Sequence, residues 1–95
     1  MLSDTKNLKH FKKLKWLSLK DNVLVNIEKL DELVGLYWLD LSQNMINSSQ
    51  LHIIGKLKNL HEIELSDNEL TSLADFGSLP KLYELNIRNN KIKSL

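Results

Sequence analysis

The chain has 95 residues, of which 42% are hydrophobic and 26% charged, the make-up of one small soluble domain rather than a disordered segment. Its 13 basic and 12 acidic side chains leave a formal charge of +1, so no global field draws it to nucleic acid or an anionic membrane, and no run of about 18 apolar residues could span one. With no cysteine, it has neither disulfide staples nor a thiolate metal site.

Residues 1–13 open the chain. Leu8 and Phe11, with Leu2 before them, form an apolar row, and Lys6, Lys9, Lys12, Lys13, Lys15 and His10 surround it. The three-to-four spacing predicts a half repeat that caps the first strand and keeps its lysines in solvent. These lysines lack aromatic interleaving, so nucleic-acid binding through them is the lesser alternative. The same segment lacks the apolar run of a secretory signal. A cytoplasmic protein is therefore expected, or a cell-surface one if the chain is a fragment of a larger adhesin.

From residue 14 onward one ladder recurs four times: Leu14, Leu17, Leu19, Asn22; Leu36, Leu39, Leu41, Asn44; Leu60, Ile63, Leu65, Asn68; and Leu82, Leu85, Ile87, Asn90. The copies start at 14, 36, 60 and 82, which are spacings of 22, 24 and 22 residues. The first half of each copy alternates apolar and polar residues, as a strand does. The second half (Leu24, Ile27, Leu30, Leu33; Ile46, Leu51, Ile54, Leu57; Leu70, Leu73, Phe76, Leu79) has the spacing of a helix or 3₁₀ turn. A single copy cannot bury both rows, so neighbours must stack and share a core. The predicted fold is α/β: a right-handed solenoid with a parallel concave sheet of about four strands and short helical or 3₁₀ convex returns. Its units are 14–35, 36–59, 60–81 and a truncated 82–95.

Within this frame the asparagines at 22, 44, 68 and 90 serve the turns, because a side-chain amide offers both a donor and an acceptor to backbone that is otherwise buried unpaired. Gly55 and Gly77, each five residues before the next copy, fit the ends of helical returns. The second copy carries two extra residues among Asn47, Ser48, Ser49 and Gln50, which predicts a loop bulging from the rim. At the C-terminus Leu82, Leu85, Ile87, Ile92 and Leu95 would show one flank to water, although solenoids need a polar terminal cap. Three readings follow: a shortened piece, continuation by further repeats, or end-to-end self-association through this uncapped repeat.

The four phased copies resemble the leucine-rich repeat family in its short 22-residue subclass, typified by the regulatory subunit of protein phosphatase 1. The resemblance spans residues 8–95, and the stretch from Leu36 through Tyr37, Trp38, Leu39, Asp40, Leu41, Ser42, Gln43 and Asn44 to Ile46 follows that pattern closely. It implies a protein or peptide partner held on the concave sheet by a non-enzymatic regulatory or scaffold subunit. Similar repeats occur in bacterial internalin-type adhesins, dynein light chains, small nuclear ribonucleoprotein subunits and tubulin cofactors. The alternative is therefore a structural segment of a longer repeat protein such as a surface adhesin.

Counting each copy from its first leucine, positions three, five, seven and eight should face solvent on the concave side. Position three places Trp16 and Trp38 side by side, an aromatic platform of the kind enriched in binding hot spots. Beside it Asp40, Glu62, Glu64 and Glu84 gather with Asp67, like charges about 5 Å apart that a basic partner would relieve. In the bland alternative the surface is simply solvated, with Lys20 and Arg88 neutralising part of it. Calcium lacks ligands in a known loop spacing. Tyr37, His61 and Tyr83 share position two, where simple packing suffices. His10, His52 and His61 have no metal-ligand spacing, and no GxSxG, phosphate loop or HExxH motif is present. No catalytic residue, metal, cofactor or small-molecule substrate is predicted.

Overall fold

The computed structural model describes residues 1–93, and its centre is a parallel sheet in the order β1-β2-β3-β4. The strands are short: β1 is Trp16–Ser18, β2 Trp38–Asp40, β3 Glu62–Glu64 and β4 Glu84–Asn86. Their register aligns the copies row by row, Trp16 with Trp38, Glu62 and Glu84, then Leu17 with Leu39, Ile63 and Leu85. The chain is a solenoid of parallel strands with short helical returns, as the periodicity predicts. Leu39 and Ile63 are fully buried, because each has a strand on both sides. At the two sheet edges Leu17 is half-buried and Leu85 is 36% exposed. Of the five apolar residues expected on the C-terminal flank, Leu82, Ile87 and Ile92 are half-buried. Leu95 lies outside the described residues.

Each strand ends in a turn whose position-eight residue is left-handed: Asp21, Gln43, Asp67 and Asn89 have φ between 57° and 61°. Position eight is thus a turn position and does not belong to the sheet face. Such backbone favours aspartate and asparagine over most side chains. The asparagine that follows holds the turn. Asn68 Nδ2 donates to the carbonyls of Leu41, Leu65 and Ser66, and its Oδ1 accepts from Ile46 N–H at 2.9 Å. Asn44 and Asn90 repeat the pattern one unit before and after, so each amide staples its own turn to the preceding repeat.

The returns carry the other half of the core. 3₁₀ turns at Leu30–Glu32 and Ala74–Phe76, and a turn at Ser48–Gln50 that runs into α1 (Leu51–Ile54), point Leu30, Leu51, Ile54 and Phe76 inward. The two extra residues of the second repeat do not bulge. They are wound into this turn and bonded to both neighbours: Ser48 Oγ accepts from Thr71 N–H and Ser72 N–H, and Gln50 Oε1 accepts from Ile27 N–H. Polar side chains that satisfy backbone in two adjacent repeats hold the insertion flat.

Gly55 and Gly77 occupy matching places for different reasons. Gly55 is right-handed at φ −61°, but a Cβ there would sit 2.4 Å from the Phe76 carbonyl oxygen. Gly77 has open space around it and φ +74°, a region that disfavours side chains. The N-terminal 3₁₀ turn, Lys6–His10, packs on the Leu30–Glu32 turn and leaves the edge of β1 uncovered. Leu8 is half-buried but Phe11 is 55% exposed, so the expected apolar cap is incomplete. The buried residue is instead Thr5, whose hydroxyl donates to the Glu28 carbonyl at 2.6 Å.

Candidate functional site

The register sets Trp16 and Trp38 in adjacent strands on one face, with ring centroids 6.2 Å apart and planes inclined by 37°. Trp16 is 62% exposed, and Trp38 is half-buried beside it. The pair continues sideways. Trp16 lies 5.4 Å from Tyr37, Tyr37 stacks on His61 at 3.9 Å, and His61 meets the edge of Tyr83 at 6.1 Å. Backbone bonds from Tyr37 N–H to Lys15 O, from His61 N–H to Tyr37 O and from Tyr83 N–H to His61 O hold these position-two residues in line. His61 Nδ1 stands 2.8 Å from the Asn59 carbonyl, which can only accept, so that nitrogen carries the proton.

Five rings therefore form one ladder across all four strands. Sequence reasoning placed Tyr37, His61 and Tyr83 in one row at position two but read the row as packing, and missed its continuity with the tryptophans. The signal was present: an aromatic or imidazole recurs at residues 37, 61 and 83, directly beside the tryptophan row.

The four predicted carboxylates differ in their engagement. Asp40 Oδ1 accepts from Ser42 N–H at 2.9 Å and Ser42 Oγ–H at 2.6 Å, so it serves the turn. This also corrects the expectation for position seven: Ser42 and Ser66, following the two middle strands, are buried rather than facing solvent, while Lys20 and Arg88 at the same position beside the edge strands are exposed. Glu62 Oε1 accepts from the Tyr83 hydroxyl at 2.7 Å. That bond to a carboxylate, with partial desolvation and the charge of Glu62, pushes the Tyr83 phenol up to about 12. Glu64 is half-buried and Glu84 exposed.

Among the described residues Lys20 and Arg88 make no ion pair with these carboxylates. Both are exposed at the exits of the two edge strands, away from the middle of the sheet. The ion pairs among the described residues are Lys6–Glu28, Lys12–Glu32, Lys29–Glu32, Lys56–Asp31 and Lys91–Glu69. All of them lie in the turns and returns, so the concave carboxylates are left without a cation. Of the N-terminal lysines, Lys6 and Lys12 are engaged in these pairs. Lys9, His10, Phe11, Lys12, Lys13 and Leu14 line an open hollow of about 610 Å³. Among the described residues, no group of three or more His, Asp or Glu side chains could hold a metal ion, and no helix is long and apolar enough to cross a membrane.

A family model described as leucine rich repeat matches residues 35–92. The chain belongs to the leucine-rich repeat family. Its fold is similar to the crystal structure of an internalin (InlF) from Listeria monocytogenes str. 4b F2365, with a TM-score of 0.85 and 32% identity over 92% of this chain. The leucine-rich repeat chain described here spans 26% of that internalin's length. No curated protein sequence matches it significantly. Leucine-rich repeat domains in general mediate binding to other proteins.

Proposed function

We propose that this leucine-rich repeat chain is an interaction module that holds a protein or peptide on its concave sheet, with Trp16 and Trp38 as apolar anchors. Asp40, Glu62, Glu64 and Glu84 form the polar field beside them, and Lys20 and Arg88 mark its two ends. The observation that carries the reading is the indole pair, 6.2 Å apart at the head of the aromatic ladder and beside the carboxylates. Large aromatic side chains left in water on a rigid sheet are the residues that dominate binding energy when a partner covers them. The 22-residue period and its likeness to the protein phosphatase 1 type support a regulatory or scaffold role.

The test is a double variant, Trp16→Ala with Trp38→Ala, used as bait beside the parent chain in partner capture read by mass spectrometry. The expected outcome is an unchanged circular dichroism spectrum and loss of the captured partner. A partner retained by the double variant at full yield would remove the platform from the account.

A second reading is favoured by a separate observation. The chain aligns with about a quarter of the internalin that it resembles, and both edge strands have unpaired backbone. In that reading the four repeats are a segment of a longer solenoid such as a surface adhesin and contribute curvature while neighbouring repeats bind. End-to-end association of two copies would use the same edges. Sedimentation of the isolated chain separates these: a concentration-dependent dimer favours association, and a monomer favours the segment.

A further inference from the structure

The concave face is divided along the solenoid axis. Its leading row runs Trp16, Trp38, Glu62, Glu84 in strand order, so the half on β1 and β2 is apolar and the half on β3 and β4 is anionic. The next row adds Glu64 to the anionic half, while Asp40 is taken up by Ser42. Parallel strands stand about 4.8 Å apart, so the centre of the indole pair lies roughly 10 Å from the centre of the Glu62 and Glu84 pair.

We propose that this face docks a basic peptide segment in which an apolar side chain and an arginine or lysine, on the same side of the segment, stand about 10 Å apart. The apolar group lies against Trp16 and Trp38, and the cation enters between Glu62, Glu64 and Glu84. The inference rests on the concave face being a protein-binding surface, and it adds the partner's charge and register.

Charge complementarity is what selects this occupant. Glu62 and Glu84 oppose each other on adjacent strands, an arrangement that is destabilising until a cation comes between them. The protein supplies none, since the ion pairs among the described residues all lie in the turns and returns. Tyr83 occupies one oxygen of Glu62 and leaves its own ring, 65% exposed, beside the carboxylates. A guanidinium can lie over such a ring while pairing with Glu84. An acidic segment would deepen the repulsion, and a purely apolar one would leave it in place.

The interval is measurable with rigid peptides. A polyproline II helix brings residues i and i+3 to the same side about 9 Å apart. Three proline-framed peptides serve as rulers: leucine and arginine at i and i+3, the same pair adjacent in sequence, and leucine with glutamate at i and i+3. Each is titrated into the 95-residue protein and followed by amide NMR shifts.

The first ruler should shift the amides of all four strands and bind about two- to fivefold tighter than either control, the scale of exposed ion pairs. That margin should vanish in the Glu62→Gln, Glu84→Gln double variant and in high salt. If all three rulers bind equally and Trp16→Ala with Trp38→Ala abolishes them, the charge and interval are overturned while the protein-binding face stands. If no ruler shifts a concave amide at millimolar concentration, the inference is overturned, and partner capture by the tryptophan variants judges the broader reading on its own.

Discussion

The asparagine at position nine shows how one side chain decides a local backbone. Asn68 is buried and makes four bonds to two repeats, so replacing it by alanine leaves Ile46 N–H and at least one carbonyl unpaired away from water. At roughly 1–3 kcal/mol for each such group, Asn68→Ala should cost about 3 kcal/mol in denaturant unfolding. Asn22 makes the same kind of bonds at the first turn but is half exposed, and its Oδ1 serves the exposed Leu2 N–H. Water can replace those partners, so Asn22→Ala should cost about 1 kcal/mol or less.

Tyr83 gives a test of the site's electrostatics. Its raised pKa means that the neutral phenol, which donates to Glu62, is favoured by the fold. The contact is fully present below the ordinary tyrosine value near 10 and is lost as pH rises through about 12. In a Tyr37→Phe background the remaining phenolate absorbance should appear only toward pH 12. Adding Glu62→Gln should bring it back toward the ordinary range. A phenol that titrates identically with and without Glu62 would show that the bond is not formed in solution.

At the scale of elements, two glycines that look equivalent in the aligned repeats part company. At Gly55 a side chain would collide with the Phe76 carbonyl, so Gly55→Ala must push the next repeat's return away from α1. Overpacking of this kind costs about 1–3 kcal/mol, which for a domain of this size lowers Tm by roughly 4–8 °C per kcal/mol. Calorimetry reads the shift directly, and an unchanged Tm would contradict the packing of α1 against the Ala74–Phe76 turn. The place of the strands, by contrast, was legible, although positions seven and eight were expected on the sheet face and belong to the turns. Trp16–Ser18, Trp38–Asp40, Glu62–Glu64 and Glu84–Asn86 fall on the alternating half of each repeat, because a leucine that must be buried on every rung leaves no freedom of register. The insertion at residues 47–50 was misread as a bulge, since its stability comes from Thr71, Ser72 and Ile27, which lie more than twenty residues away.

At the scale of the molecule, the main contacts of each strand and return among the described residues are with its neighbours along the axis, so stability accumulates along that axis and a change on the concave face stays local. This is why replacing Trp16 and Trp38 should spare the fold while removing binding: both indoles stand outside the leucine core. The order of residues alone settled the period, the rows of the sheet and the buried leucines, because side-chain burial repeats every 22 to 24 positions and any slip would expose a whole row. Packing alone settled the rest. Which carboxylates keep a free oxygen, how five rings join into one ladder and why Lys20 and Arg88 stay apart from the acids depend on distances between neighbouring rungs, and those distances exist only once the chain has stacked.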